Sequence, residues 1–350
     1  MQPLFPLLLI ILTFGGGFLR FAVADINGDG ALEFIAYDGQ FLKAFNGEGK
    51  LLYKWKYKLS SDIAVADLNG DGREELIFGT DDGRLMAINS KGKVWSVRTG
   101  TPVVAKPVIS DYVVAVDFRG VLYFIKGGKA VRKMRMLGCC CHVQNQPALG
   151  DINGDNEPEI IVATDPGRVF VISRGRVVSN FTLNGFPSRP KVVNGTLYLG
   201  TRGLIIAGEK KIELRASEYP LDYGPDGWIT NERVIYRGKE VYRGKVKLGV
   251  IEPLPVFVAE DGLYIYRDKL VKVDDKDYLI YVRGDRVYAL SKVGFRIHVF
   301  TPSTSERSYE NPNGMPSDGI IVSSLAVILA LVLTPLIVVK KLAKRPPDQV

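Results

Sequence analysis

The sequence predicts an all-β chain, a ring of about seven four-stranded blades with an eighth left open, followed by one C-terminal transmembrane helix. Three observations carry this expectation. First, an acidic loop recurs. Asp25-Ile26-Asn27-Gly28-Asp29-Gly30, Asp67-Leu68-Asn69-Gly70-Asp71-Gly72 and Asp151-Ile152-Asn153-Gly154-Asp155-Asn156 begin 42 and 84 residues apart, so a copy is missing near Ser110-Asp111. A fixed period of about 40 residues signals an array of one supersecondary unit. Second, the loops are flanked by FAVA, IAVA, EFIAY, ELIFG and EIIVA, short β-branched and aromatic runs that read as strands. Third, residues 320–339 carry no charge and are long enough to cross a bilayer.

Within a unit, the strand after the loop ends in a turn: Tyr37-Asp38-Gly39, Thr80-Asp81-Asp82-Gly83 or Thr164-Asp165-Pro166-Gly167. Asp-Gly there is a strong hairpin signal. A third strand follows (84–88, 168–172), then a Gly turn and an outer strand such as 93–97. Residues 101–137 and 188–217 keep this order without the acidic residues. Past residue 218 the units shorten, and 250–302 divides poorly, so the count stays at seven or eight. The ring is expected to close by pairing its first and last strands, because an open end would leave an unpaired edge.

The loops place oxygen donors on alternate residues: Asp25, Asn27 and Asp29; Asp67, Asn69 and Asp71; Asp151, Asn153 and Asp155. Position 7 (Ala31, Arg73, Glu157) offers a backbone carbonyl, and position 9 is a carboxylate each time (Glu33, Glu75, Glu159). With water, this approaches the six to eight oxygens that calcium prefers. Gly30 and Gly72 at position 6 permit a positive φ, and Asn156 is the next best residue for it. An EF-hand is excluded. Its position 12 should be Glu but is Ala36, Phe78 or Val162, and the flanks are strands rather than helices. A polar Asn-Gly/Asp-Gly hairpin without an ion is the competing reading.

This pattern, DxNxDGxxE between strands, resembles the FG-GAP/VCBS-type calcium repeats of β-propellers, including integrin α-chain propellers. The resemblance covers residues 18–100 and 145–183. The family more often has Asp at positions 3 and 9, so Asn and Glu alter charge and reach here. It implies a β-propeller with one four-stranded blade per repeat. It also implies about three structural calcium ions, each in the loop joining a blade's first two strands.

The net charge of +8 is scattered among strands and concentrated at the C-terminus. No basic stripe interleaved with aromatics is present, which argues against nucleic acid. Abundant Lys, Arg, Glu, Val and Ile with scarce Gln and His are compatible with a heat-adapted host. Residues 3–14 are apolar and too short to span comfortably, so 1–17 reads as a signal peptide with cleavage near Gly15-Gly16-Gly17. The run lacks a preceding Lys or Arg, which leaves an uncleaved anchor as the alternative.

Residues 18–302 form the ring and 303–319 a stalk. Residues 320–339 form the span, and 340–350, with Lys340, Lys341, Lys344 and Arg345, a cytoplasmic tail. The protein is thus expected to be single-pass type I, with its ring extracellular. Asn180-Phe181-Thr182 and Asn194-Gly195-Thr196 are glycosylation acceptors by pattern.

Cys139, Cys140 and Cys141, followed by His142, form a contiguous run. It is a poor tetrahedral chelate. A disulfide, a modified or metal-bound loop, and a redox site all stay open. Quinoprotein alcohol dehydrogenases resemble it only in a vicinal cysteine pair. Arg283-Gly284-Asp285 sits where a hairpin turn is needed, and His298 lies in a strand pattern. No Ser/His/Asp arrangement or histidine metal cluster can be assembled, so no catalytic residue is assigned.

The function expected is a calcium-binding interaction, adhesion or scaffolding module with an extracellular or membrane protein partner. A cell-surface enzyme acting on polysaccharide is the alternative, with the Tyr- and Arg-rich region 219–288 as its only candidate cluster. A redox protein using the cysteine run comes third.

Overall fold

The computed structural model describes residues 19–136, 143, 145–165, 167–293 and 295–302, and the backbone of 307–310. It is a propeller of eight four-stranded antiparallel blades, each made of four consecutive strands. Blade 1 comprises Arg20–Ala24, Glu33–Tyr37, Leu42–Phe45 and Leu51–Trp55, and blade 2 Ala64–Ala66, Glu75–Thr80, Arg84–Asn89 and Gly92–Arg98. Blade 3 comprises Val108–Ile109, Val113–Val116, Val121–Lys126 and Lys129–Arg135, and blade 4 Ala148–Gly150, Glu159–Ala163, Arg168–Ser173 and Arg176–Thr182. Blade 5 follows with Lys191–Val193, Thr196–Thr201, Leu204–Ala207 and Lys210–Glu213, and blade 6 with Pro220–Gly224, Gly227–Thr230, Arg233–Tyr236 and Lys239–Arg243. Blade 7 is Val246–Val250, Val256–Ala259, Gly262–Tyr266 and Leu270–Asp274, and blade 8 is Tyr278–Arg283, Arg286–Ser291, Arg296–Phe300 and Arg307–Glu310.

The first strand of each blade faces the hub, and the fourth forms the rim. The second strands are buried along most or all of their length in blades 1, 2, 3 and 4, whereas Arg176–Thr182 on the rim is exposed throughout. This explains why the second strands read as unbroken apolar runs: both of their faces are covered. In Glu33–Tyr37, Ile35 and Tyr37 pack toward blade 2, while Phe34 and Ala36 pack toward blade 8. A period of two thus splits one strand between two cores. Each junction between neighbouring blades holds one such cluster.

Two expectations change. The blade count is eight, not seven. The stretch 250–302, which resisted division, holds most of blade 7 and three strands of blade 8, and the sheet continues into Arg307–Glu310, within the segment read as stalk. Closure also differs. Among the described residues blades 1 and 8 share no strand, and each sheet holds four consecutive strands. The ring closes by side-chain packing: Phe45 and Phe34 lie 5.0 and 6.1 Å from Phe295, and Phe21 lies 6.2 Å from Tyr281 between ring centroids. Blades meet face to face, so strand edges point to hub and rim. No unpaired edge arises at the junction for a shared strand to cover.

Among the described residues no helix is long and apolar enough to cross a membrane. The signal segment 1–17, the span 320–339, the tail 340–350 and Cys139, Cys140, Cys141 and His142 lie outside the described residues.

Candidate functional site

The three acidic loops join first to second strands in blades 1, 2 and 4, and they share one hydrogen-bond plan. Asp25 accepts the N–H of Gly28 at 2.7 Å and of Gly30 at 2.9 Å, Asn27 Oδ1 that of Asp29 at 2.8 Å, and Asp29 Oδ1 that of Ala31 at 2.8 Å. Asp67, Asn69 and Asp71 repeat this toward Gly70, Gly72, Asp71 and Arg73. Asp151, Asn153 and Asp155 repeat it toward Gly154, Asn156, Asp155 and Glu157. Position 6 has positive φ in every copy: 83° at Gly30, 80° at Gly72 and 65° at Asn156. For Asp67 and Asp151, these N–H bonds together outweigh desolvation and hold the carboxyl below its usual range.

Position 9 behaves differently from positions 1, 3 and 5. Glu33, Glu75 and Glu159 open the second strands and are buried. They stand opposite Ala24, Ala66 and Gly150, whose small side chains leave room for a carboxylate to fold back. In each, Oε2 accepts the N–H of position 2, from Ile26, Leu68 or Ile152. Oε1 accepts an amide, from Asn27 at 2.8 Å, Asn89 at 2.9 Å or Asn153 at 3.0 Å. Burial pushes the Glu33 carboxyl up to about 7, with Asp29 and Asp25 adding to the rise and the Ile26 N–H opposing it.

The donors at positions 1, 3 and 5, with the position 7 carbonyl, are all oxygens on one tight loop. Each accepted bond leaves a further lone pair on its oxygen. This set fits a hard cation such as calcium. Among the described residues, no three His, Cys, Asp or Glu side chains by themselves form a cluster able to hold a metal. A cation here would therefore rest on Asn and carbonyl oxygens beside Asp, with the buried position 9 glutamate behind them as a further oxygen donor or as a brace of the hairpin.

Loops 1 and 2 touch. A Cβ on Gly28 would lie 3.1 Å from Arg73 Cγ and 3.2 Å from the Gly72 carbonyl oxygen, and the Glu74 N–H bonds the Asp25 carbonyl at 2.8 Å.

The region 219–288 is occupied by packing. Phe257 stacks on Tyr264, Tyr242 packs tilted against both, and Tyr236 meets Tyr266 edge to face. Buried Glu218 is held by Arg233 Nη2 at 2.9 Å. Asp274 accepts from Tyr278 and Arg296, both at 2.7 Å; these bonds outweigh desolvation and hold it well below the usual carboxylate range. His298 is buried against Tyr278. Gly284 has φ 57° in a hairpin turn, so Arg283-Gly284-Asp285 does serve the turn.

Sequence reasoning missed the hub. A cavity of about 420 Å³ lies between the first strands of blades 2, 3, 4, 5 and 8. Lys106, Gln146 and Arg189 line it, each directly before a proline: Pro107, Pro147 and Pro190. Pro is tolerated at the start of a hub strand because one edge there has no ladder partner, and it drives the preceding residue to extended geometry. This X-Pro recurrence was the available signal. Neighbouring hub strands meet start to start, as in Arg20–Asp62 at 3.3 Å, and end to end, as in Asp25–Glu74 at 2.7 Å. Lys106, Gln146 and Arg189 therefore lie at the mouth opposite the acidic loops.

A family model described as the lambda-carrageenase beta-propeller domain matches residues 34–135, from the second strand of blade 1 to the end of blade 3. No curated protein matches the chain. Among solved structures, BamB from Moraxella catarrhalis is similar with TM-score 0.58 and 16% identity, over 77% of this chain and 93% of that one. The computationally designed Ika8 protein gives 0.60 and 13%, over 82% and 96%. BBS1N, solved in complex with ARL6DN, gives 0.55 and 14%, over 84% and 95%. At these identities the likeness concerns the fold.

Proposed function

We propose that this propeller is a binding module carried outside a membrane by the segment 320–339, with calcium in its three acidic loops and a protein partner docking on the face they form. One observation carries the reading. Blades 3, 5, 6, 7 and 8 join their first two strands without such a loop, so the hairpin itself does not require one. The acidic loops are an addition kept in one geometry three times, with exposed Asp29, Asp71 and Asp155 at their tips. Calcium would neutralise the clustered carboxylates and brace the loops as a docking surface. A solved neighbour, BBS1N in complex with ARL6DN, is a propeller-like chain caught with a protein partner, which agrees with this use of the fold.

The test is capture of tagged protein from mildly cross-linked native membranes, with and without chelator. A reproducible protein partner lost on chelation supports the reading. Recovery of the same partner in both conditions removes calcium from it.

A second reading, an enzyme or binder acting on polysaccharide, is favoured by the carrageenase-type propeller match. Turnover of a polysaccharide panel by the purified chain would establish it in place of the first.

A further inference from the structure

We infer that the hub cavity is a binding site for an oxyanion group, held between Lys106 and Arg189 with Gln146 beside them. The cavity, of about 420 Å³, is lined by Lys106, Arg189 and Lys191, and no carboxylate is among its lining residues. The size falls in the range of small-ligand sites.

The cations of this lining are not equally committed. Lys191 is paired with Asp222 at 3.2 Å and reaches Glu252 at 3.7 Å. Buried Asp222 also takes the Ile251 N–H at 2.8 Å, and Arg189 reaches it only at 3.5 Å, the long end of a hydrogen bond. The acid that most influences Lys106 is Asp62, and Asp62 is engaged by Arg20 at 3.3 Å. Lys106 thus makes no hydrogen bond or ion pair among the described residues; its ammonium lies 5.0 Å from the Tyr281 ring centroid. The Gln146 amide has no hydrogen-bond partner among them either.

A half-buried ammonium over an aromatic face, with Asp62 acting on it only from a distance and a second cation nearby, has no bonded anion among the described residues. Burial, with Arg189 adding to the effect and Asp62 opposing it, lowers its proton affinity. A sulfate, phosphate or carboxylate group entering the mouth would relieve this. It would accept from the Arg189 fork, which can bond two oxygens of one oxyanion, from the compact Lys106 charge and from the Gln146 amide. Tyr281 would supply an apolar wall for the group's carrier.

The site stands apart from the acidic loops, at the opposite mouth, and does not depend on calcium. The same oxyanion chemistry has two sources: a free inorganic anion, or an acidic group on a polymer.

The experiment is calorimetric titration of the full chain in detergent and low chloride, in calcium and in chelator. The probes are inorganic sulfate, inorganic phosphate, a uronic-acid oligosaccharide and a neutral oligosaccharide. Saturable binding of at least one anionic probe, with none of the neutral one, is expected under both conditions. Lys106→Gln and Arg189→Gln should each weaken it about tenfold or more, with Lys129→Gln on the exposed rim leaving it unchanged. Tighter binding of the acidic oligosaccharide than of the inorganic ions assigns the polymer; equal binding assigns the free anion. Absence of binding by every anionic probe overturns the site, as does binding that persists unchanged in both hub variants when their melting curves show them folded.

Discussion

Arg283 Nη1 donates to Glu74 Oε2 at 2.7 Å, and also to the Val23 carbonyl at 3.1 Å. The same Glu74 oxygen accepts the Asp25 N–H at 2.7 Å. One carboxylate therefore ties the last blade to the first and to the loops of blades 1 and 2, where the ring closes without a shared strand. The pair is part exposed, so its worth is that of a screened ion pair plus the hydrogen bonds it completes. Glu74→Ala is expected to lower stability by about 1–3 kcal/mol, because it leaves an Arg283 donor and the Asp25 N–H short of a partner. Denaturant midpoints of Glu74→Ala, Arg283→Ala and the double variant check this. The double variant should lose less than the sum of the singles, and strict additivity would contradict the link.

The face packing at this junction makes a second, larger prediction. Phe45 is fully buried and meets Phe295 across the closure. Phe45→Ala should cost about 3–5 kcal/mol through lost burial and the cavity left behind. Phe41, at the edge of the same hairpin and only partly buried, should cost well under half of that when changed to Ala. Similar melting temperatures for the two variants would contradict closure by packing.

The buried glutamates offer a test of loop chemistry. Asn89 Nδ2 is the side-chain donor to Glu75 Oε1, and Glu75 is wholly buried. Asn89→Ala should destabilise by about 1–3 kcal/mol by orphaning that oxygen. As a brace behind the loop, Glu75 makes this loss nearly equal in calcium and in chelator. A loss seen only in calcium would move Glu75 back among the ligands.

Glu252 gives a pH dependence. Burial raises its carboxyl above the ordinary 4.5; Asp222 and Asp226 add to the rise and Lys191 opposes it. Between 4.5 and the raised value the folded chain holds a proton that the unfolded chain has released. Stability must therefore fall as pH rises through that window, and flatten above it. Glu252→Gln should remove this portion of the slope, as read from melting temperature against pH. An unchanged slope would show that other groups produce it.

The sequence made the blade grammar legible because each blade buries both faces of its second strand, which imposes local apolar runs bounded by Gly turns. The loops were legible for the same local reason, down to the positive φ of Asn156. The eighth blade was not. Blades 6 and 7 start at Pro220 and Val246, far closer than Arg20 and Ala64 in blades 1 and 2, so the 42-residue spacing no longer guides the eye. Closure is not legible in the sequence because it depends on contacts such as Phe34 with Phe295, which have no local signature. The position 9 glutamates have the same spacing whether they ligate or brace. Their burial is decided by the small residues across the hairpin, Ala24, Ala66 and Gly150. The hub polar groups have no local signature as a set, because Lys106, Gln146 and Arg189 are about 40 residues apart and converge only when blades 3, 4 and 5 pack side by side.

The proposed calcium sites in the acidic loops are tested most directly by the melting temperature of the chelator-stripped chain titrated with calcium, beside Asp67→Asn. Asp67 Oδ1 accepts the N–H groups of Asn69 and Gly70 and its Oδ2 that of Gly72, so Asn removes the charge and keeps one of the two accepting oxygens. With extracellular-type affinities of about 10⁻⁴–10⁻³ M, the melting temperature should rise through the millimolar range by linkage. Asp67→Asn should melt slightly below the parent in chelator, because one accepting oxygen becomes an NH2, and fall further behind it as calcium is added. A melting temperature that does not move with calcium, or two proteins that move together, would contradict the account.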